Sequence, residues 1–341
     1  MEASALNNKF FLNRKIPVYW ALILTLLILF GIDQISKQFS TATVVQETKK
    51  TKCITPLTLV REHDYKLTHP LLMSDLKEED NKYDPLKEKL VGFIENAKKN
   101  SKAQSVSIYY CSLNDNTQFS INKKETYNPT HLMEVSKLIA LLKQNEKSRG
   151  LLERKVLYDK LPNAEKSRYD NIILENGKYY TIGSLVYNMI ANSDENATIS
   201  LNQYLDHDVL RSVYKAFGCP MPDKNEKDYL MNVQDCSRPI KVLYNAGFLT
   251  INSAEYAMEV LTHSNYKDGI MKQLDTGVVV AHHFSLTKTA KNSQLHEFGI
   301  VYCNNHPYLL GIMTKGANEV ELSQIISTIS KMIFDEMNKV S

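Results

Sequence analysis

The sequence predicts an α+β domain in which one antiparallel sheet is built from both ends of the chain segment and helices fill the middle. Three observations carry this. A β-rich hairpin stands near residue 105, helical patterning runs from about 130 to 273, and two to three further β-rich stretches lie between 277 and 314, ahead of a final amphipathic helix. Strands at both ends of a helical middle must pair with each other to satisfy their backbone groups, which leaves the helices to cover the sheet.

The first element of the domain is a helix beginning at Asp84. Asp84 is the expected N-cap, Pro85 occupies the first helical position, and Leu86, Leu90, Val91, Phe93 and Ile94 recur at helical spacing. Ser105 to Leu113 (SVSIYYCSL) is dense in β-formers, and Thr117 to Ile121 continues it after the turn residues Asn114, Asp115 and Asn116. The closing strands are expected at Gly277 to Phe284, Phe298 to Tyr302 and Tyr308 to Thr314, followed by a helix from about Glu319 to Asn338.

Ahead of this domain the organisation changes. Ile16 to Ile32 (IPVYWALILTLLILFGI) carries no charge and is long enough to form a transmembrane anchor, a cleavable signal peptide being the rival reading. Lys9, Arg14 and Lys15 precede it, so residues 1–15 are expected in the cytoplasm and the domain outside. Residues 33–83 are polar, end in the charged run KEEDNK (Lys77 to Lys82) and lack periodicity, which predicts a juxtamembrane stalk before a domain at 84–341.

Composition excludes several classes. At 341 residues and 43% apolar the chain can bury a full core and is not a disordered protein. Its 41 basic and 38 acidic residues nearly cancel without a basic cluster, so nucleic acid is not an expected partner. Five cysteines show no C-x-x-C pair, which argues against a structural zinc site or a thioredoxin-like centre. Cys219 and Cys236 bracket one polar stretch. They could bridge in an oxidising compartment or remain buried thiols.

Three short motifs carry the functional reading. The stretch Tyr127 to Val135 (YNPTHLMEV) resembles the N-P-A-S-L-M-K-V of serine penicillin-recognising enzymes, with His131 where the nucleophilic serine belongs and Glu134 where its lysine belongs. Met189 to Thr198 (MIANSDENAT) resembles M-I-x-x-S-D-N-x-A-T, keeping Ser193 and Asp194 but replacing the asparagine by Glu195. Val279 to Ser285 (VVAHHFS) and Gln294 to Tyr302 (QLHEFGIVY) resemble the V-A-H-K-[TF]-G and L-H-D-x-G-I-V-Y strands, with His283 for the lysine, Ser285 for the glycine and Glu297 for the aspartate. Lys288-Thr289-Ala290 is a second match to K-T-G, but it requires a strand slip. No E-x-x-L-N stands between Phe217 and Ser237.

In this order and with these flanks the motifs resemble the class A β-lactamase and D-alanyl-D-alanine peptidase-like family. The resemblance implies that family's fold and a degenerate site at His131, Glu134, Ser193, Asp194, Glu195, His283 and Ser285. A serine hydroxyl is a weak nucleophile until a base takes its proton, and both partners have been replaced. The expectation is therefore a catalytically inactive, membrane-anchored member that binds a protein or a cell-wall-derived ligand and needs no cofactor. Its replaced residues are expected to bond one another, while carboxylates at 134, 194 and 195 repel the anionic ligands of the family. Two other readings stay open: a metal site from His131, Glu134, Glu195 and His283, and a rebuilt hydrolase with Ser193 as nucleophile and His131 as base.

Overall fold

The computed structural model describes residues 60–61, 65–73, 81–159, 173–219, 221–222, 229–289, 292–303 and 306–339. The apolar run 16–32 and residues 1–15, expected in the cytoplasm, lie outside them. Among the described residues no helix is long and apolar enough to cross a membrane.

Two short strands, β1 (Val60–Arg61) and β2 (Leu71–Met73), pair ahead of helix α1 (Asp84–Lys99). Tyr83, not Asp84, occupies the N-cap of α1 and makes no side-chain cap bond. Asp84 instead places its carboxylate in the first turn, where the helix dipole favours it. Strands β3 (Ser105–Ser112) and β4 (Gln118–Ile121) form the expected hairpin. A short 3-10 helix, Thr130–Met133, leads into α2 (Glu134–Lys147).

The region expected to be dominated by helices also contains a second small sheet. Strands β5 (Lys155–Tyr158) and β6 (Lys178–Thr181) pair antiparallel. They are four residues each, too short for periodicity to reveal. The helices that follow are α3 (Ile182–Ala191), α4 (Glu195–Asn202), α5 (His207–Phe217), α6 (Val233–Tyr244) and α7 (Ile251–Thr262). Each starts at a side chain that accepts from its first-turn amides: Thr181, Asp194, Asp206, Asn232 and Thr250.

Strands β7 (Val279–Lys288), β8 (Ser293–Tyr302) and β9 (Tyr308–Gly316) complete a five-stranded sheet of order β4-β3-β9-β8-β7, and α8 (Glu319–Asn338) closes the chain. The two chain ends meet where β3 pairs antiparallel with β9, as the sequence predicts. Both faces of the sheet are covered. Val106, Ile108 and Tyr110 of β3 pack with α1 and α8, while Tyr109 and Cys111 face the helical middle. Burial on both sides explains why the apolar residues of β3 run on without alternation from Ile108 to Cys111.

The predicted stalk is shorter than expected at its domain end. The Leu67 and Thr68 amides donate to the Glu255 carboxylate at 2.8 Å each, and the Thr68 hydroxyl does so too. The Tyr302 hydroxyl donates to the Leu67 carbonyl at 2.6 Å, and the His69 ring stacks on Tyr244. Leu67, Thr68 and Pro70 are buried. Residues 65–73, which the sequence reading places in the stalk, thus form a strap bonded to the domain.

Cys111, Cys219, Cys236 and Cys303 are free, buried thiols, so the alternative of a bridge between Cys219 and Cys236 is not realised.

Candidate functional site

The site is built where the 3-10 turn before α2, the start of α4 and the middle of β7 meet. Asn128 shapes the turn, its side-chain oxygen accepting from the Thr130 amide at 3.1 Å and the Thr130 hydroxyl at 3.0 Å. Thr130 is thereby held at φ +40, a left-handed conformation that costs a β-branched residue energy. Leu132, Met133 and Val135 bury into the core, which turns His131 and Glu134 together toward β7.

Glu134 is the centre of the arrangement. Its side chain is 6% exposed, yet both carboxylate oxygens are engaged. Oε1 accepts from His131 Nδ1 at 3.1 Å and from the Thr198 hydroxyl at 2.8 Å, and Oε2 accepts from His283 Nε2 at 3.2 Å. Burial alone would raise its pKa; the hydrogen bonds from the two imidazoles, and then their charges, outweigh that and hold it at about 2. Glu134 is therefore an ionised acceptor. One turn along α2, burial pushes the Lys137 ammonium down while Glu134 pulls the other way, but the two form no ion pair.

His283 Nε2 also lies 3.1 Å from the His131 carbonyl oxygen. Both its neighbours are acceptors, so Nε2 carries a proton, and the buried Nδ1 has no hydrogen-bond partner. His131 itself is 36% exposed on its side chain and forms the solvent edge of the cluster. Its backbone amide donates to Ser285 Oγ at 3.3 Å. Thr130 and Thr287 share a hydroxyl contact of 3.0 Å, and Gln294 accepts from the Asn128 amide at 3.3 Å, so the turn is bonded to β7 and β8 along its length. The strand register that brings His283 to Glu134 is the Val-Ala-His one. Lys288 of the alternative match pairs with Glu319 instead.

The remaining predicted residues do not converge. Asp194 turns away from the histidines, accepting from the Asn196 and Ala197 amides at 3.0 and 3.2 Å and from the Tyr158 hydroxyl at 2.8 Å. It caps α4 and anchors β5. Glu195 is exposed on the first turn of α4. Ser193 adopts φ +52, and its buried hydroxyl has no hydrogen-bond partner, so no Ser193–His131 pair is formed. Of the three carboxylates expected to share the cleft, Glu134 alone touches the histidines. Among the described residues no group of three or more His, Cys, Asp or Glu side chains is arranged to hold a metal ion. Thr198, which the motif reading treats only as a flanking match, is the residue that reasoning from sequence missed.

A second buried pair backs the site. His282 Nδ1 and Glu297 Oε1 lie 2.7 Å apart, and Glu297 Oε2 accepts from the Ile270 amide at 2.8 Å. Gly269 is required beside them, because a Cβ there would sit 1.8 Å from Glu297 Oε2. Neighbouring His296 accepts from the Thr314 amide at 3.2 Å, and burial presses its pKa down to about 3, so the ring is neutral.

Solved structures share this architecture. The TLA-1 extended spectrum β-lactamase superposes with a TM-score of 0.64 at 17% identity, covering 74% of this chain and 98% of its own. The β-lactamase from Francisella tularensis gives 0.63 at 17%, covering 74% and 100%, and PBP-A gives 0.62 at 16%, covering 78% and 100%. At such identities the likeness is one of fold. No curated protein matches the sequence. The sequence pattern described as the Beta-lactamase enzyme family matches residues 85–337, from the first turn of α1 to the last of α8, and over that span the chain belongs to this family.

Proposed function

We propose that this chain is a membrane-anchored β-lactamase-like domain without serine acyl-transfer chemistry, which works by binding a protein or a cell-wall-derived ligand through its altered cleft. The observation that carries the reading is the closed set of bonds around Glu134. The position of the nucleophile bears an imidazole, and the position of the lysine bears a carboxylate held ionised by His131 and His283. An acyl-transfer site also needs backbone N–H groups aimed at the developing oxyanion, and the His131 amide is directed at Ser285 Oγ instead. A nucleophilic role for Ser193 draws no support from its position, since nothing within hydrogen-bond reach can take its proton. Anchoring is supported by the uncharged run 16–32 and the basic residues before it.

The test is incubation of the full chain with a fluorescent penicillin, followed by denaturing gel and intact-mass analysis. The expected result is no covalent adduct; a stoichiometric adduct on any serine overturns the catalytic part. Protease added to spheroplasts is expected to remove the domain, and full protection until lysis overturns the topology.

A further inference from the structure

On the far side of β3 from the α1–α8 layer, a thiol and an ammonium meet outside the site described above. Lys241 Nζ of α6 lies 3.2 Å from Cys111 Sγ of β3 and 2.8 Å from Asn116 Oδ1. Asn116 Oδ1 at 3.5 Å, the Ser112 carbonyl at 3.6 Å and the Tyr109 side chain also meet the sulfur. Asn116 stands at φ +58 in the β3–β4 turn, a conformation asparagine tolerates, and this aims its amide oxygen at the lysine. The ammonium is thus pinned between two fixed acceptors, one of them the sulfur.

We propose that Cys111 and Lys241 form a redox-reversible covalent cross-link, a sulfenamide made when a peroxide reaches this pair. The first step is oxidation of the thiol by hydrogen peroxide. Its O–O bond breaks, an S–O bond forms, and the products are Cys111 sulfenic acid and one water. In the second step Lys241 Nζ gives up a proton to solvent and attacks the sulfur. The S–N bond forms as the S–O bond breaks, hydroxide leaves, and a second proton from nitrogen completes a second water. Sulfur loses two electrons in all, and peroxide takes them. A thiol reductant reverses the link.

The geometry favours this pair over the other cysteines. Cys219 also has a cation near it, Arg238 Nη1 at 3.8 Å, but a guanidinium does not release its proton to act as a nucleophile. Cys236 and Cys303 are buried as Cys111 is, but among the described residues no lysine bonds to either sulfur. The cross-link spans 130 residues of sequence and ties β3 to α6. Helix α6 begins beside Met231, whose backbone exchanges two hydrogen bonds of 2.9 Å with Tyr127. The link therefore stiffens the support of the turn that carries His131.

The experiment is peroxide titration of the full chain in detergent, with proteolysis and mass spectrometry under non-reducing conditions. The expected product is a Cys111 peptide joined to a Lys241 peptide, two hydrogens lighter than their sum and separated by dithiothreitol. It should bring a rise of several degrees in Tm. Lys241→Arg should abolish the joined peptides while Cys111 still oxidises, and Cys111→Ser should abolish both. Wild-type Cys111 proceeding to sulfinic acid with Lys241 unattached overturns the proposal, and so does a folded Cys111 that stays unmodified while the unfolded chain reacts.

Discussion

Replacing Glu134 by glutamine tests how much the cluster contributes to stability. The ionised carboxylate accepts three hydrogen bonds, and an amide keeps one acceptor oxygen while turning an NH2 toward another donor. One of the two imidazole N–H groups then faces a donor in a buried pocket. Glu134 is held at about 2 against an ordinary 4.5, which corresponds to about 3 kcal/mol at about 1.36 kcal/mol per unit. That agrees in order with the penalty of about 3–5 kcal/mol for removing one partner of a buried ion pair. For a domain of this size the neutral-pH loss translates to a Tm lower by about 6–12 °C.

The sign of the pH dependence is fixed. A carboxylate whose folded pKa lies below its unfolded value contributes stability that is complete above about 4.5 and is lost as pH falls toward about 2. Urea melts of the wild type and Glu134→Gln, from pH 7 down to 2.5, should therefore show a gap that narrows through this window. A neutral-pH gap under about 1 kcal/mol, or a gap unchanged down to pH 2.5, would refute the account.

Three further outcomes are expected. His296 is neutral because burial depresses its pKa to about 3, so its contribution is whole above about 6.5 and fades as pH falls below that; His296→Gln should flatten urea midpoints between pH 7 and 5. Glu255→Gln should cost about 1.5–3 kcal/mol and speed hydrogen exchange at the Leu67 and Thr68 amides while leaving exchange in α2 unchanged. Gly269→Ala should cost more than about 3 kcal/mol by expelling Glu297 from the Ile270 amide, and circular-dichroism melts read it directly.

What was legible in the sequence, and what was not, follows from the range of the forces involved. Caps and periodicity are local, so the helices and the meeting of β3 with β9 could be read from residues a few positions apart. The convergence of His131, Glu134 and His283 was legible through motif order. Which way a side chain turns at a helix start was not. Asp194 and Glu195 are neighbours, yet one caps α4 and is buried while the other is exposed, a choice made by the Tyr158 hydroxyl on β5. The strap at 65–73 escaped because polar bonds to Glu255 and Tyr302, contributed by distant parts of the chain, hold it. Hydrophobic pattern carries no trace of such bonds.

The same bonds decide what reversing the substitutions can achieve. His131→Ser puts a hydroxyl where the proposed alignment has the nucleophile, but the adjacent base is a carboxylate held at about 2, far below the range in which proton transfer from a hydroxyl is efficient at neutral pH. Removing His131 also removes one of the donors that hold Glu134 ionised, yet Thr198 and His283 remain bonded to it, so the group stays an acceptor and is not a substitute for an amine. The backbone amide at 131 still meets Ser285 Oγ, which competes with any incoming oxyanion. Penicillin labelling should therefore stay absent in His131→Ser and in His131→Ser/Glu134→Lys, and first appear when Ser285→Gly is added to that pair and the amide is released. Stoichiometric acylation of the single variant would show that the Glu134 bonds and the Ser285 contact do not silence the site.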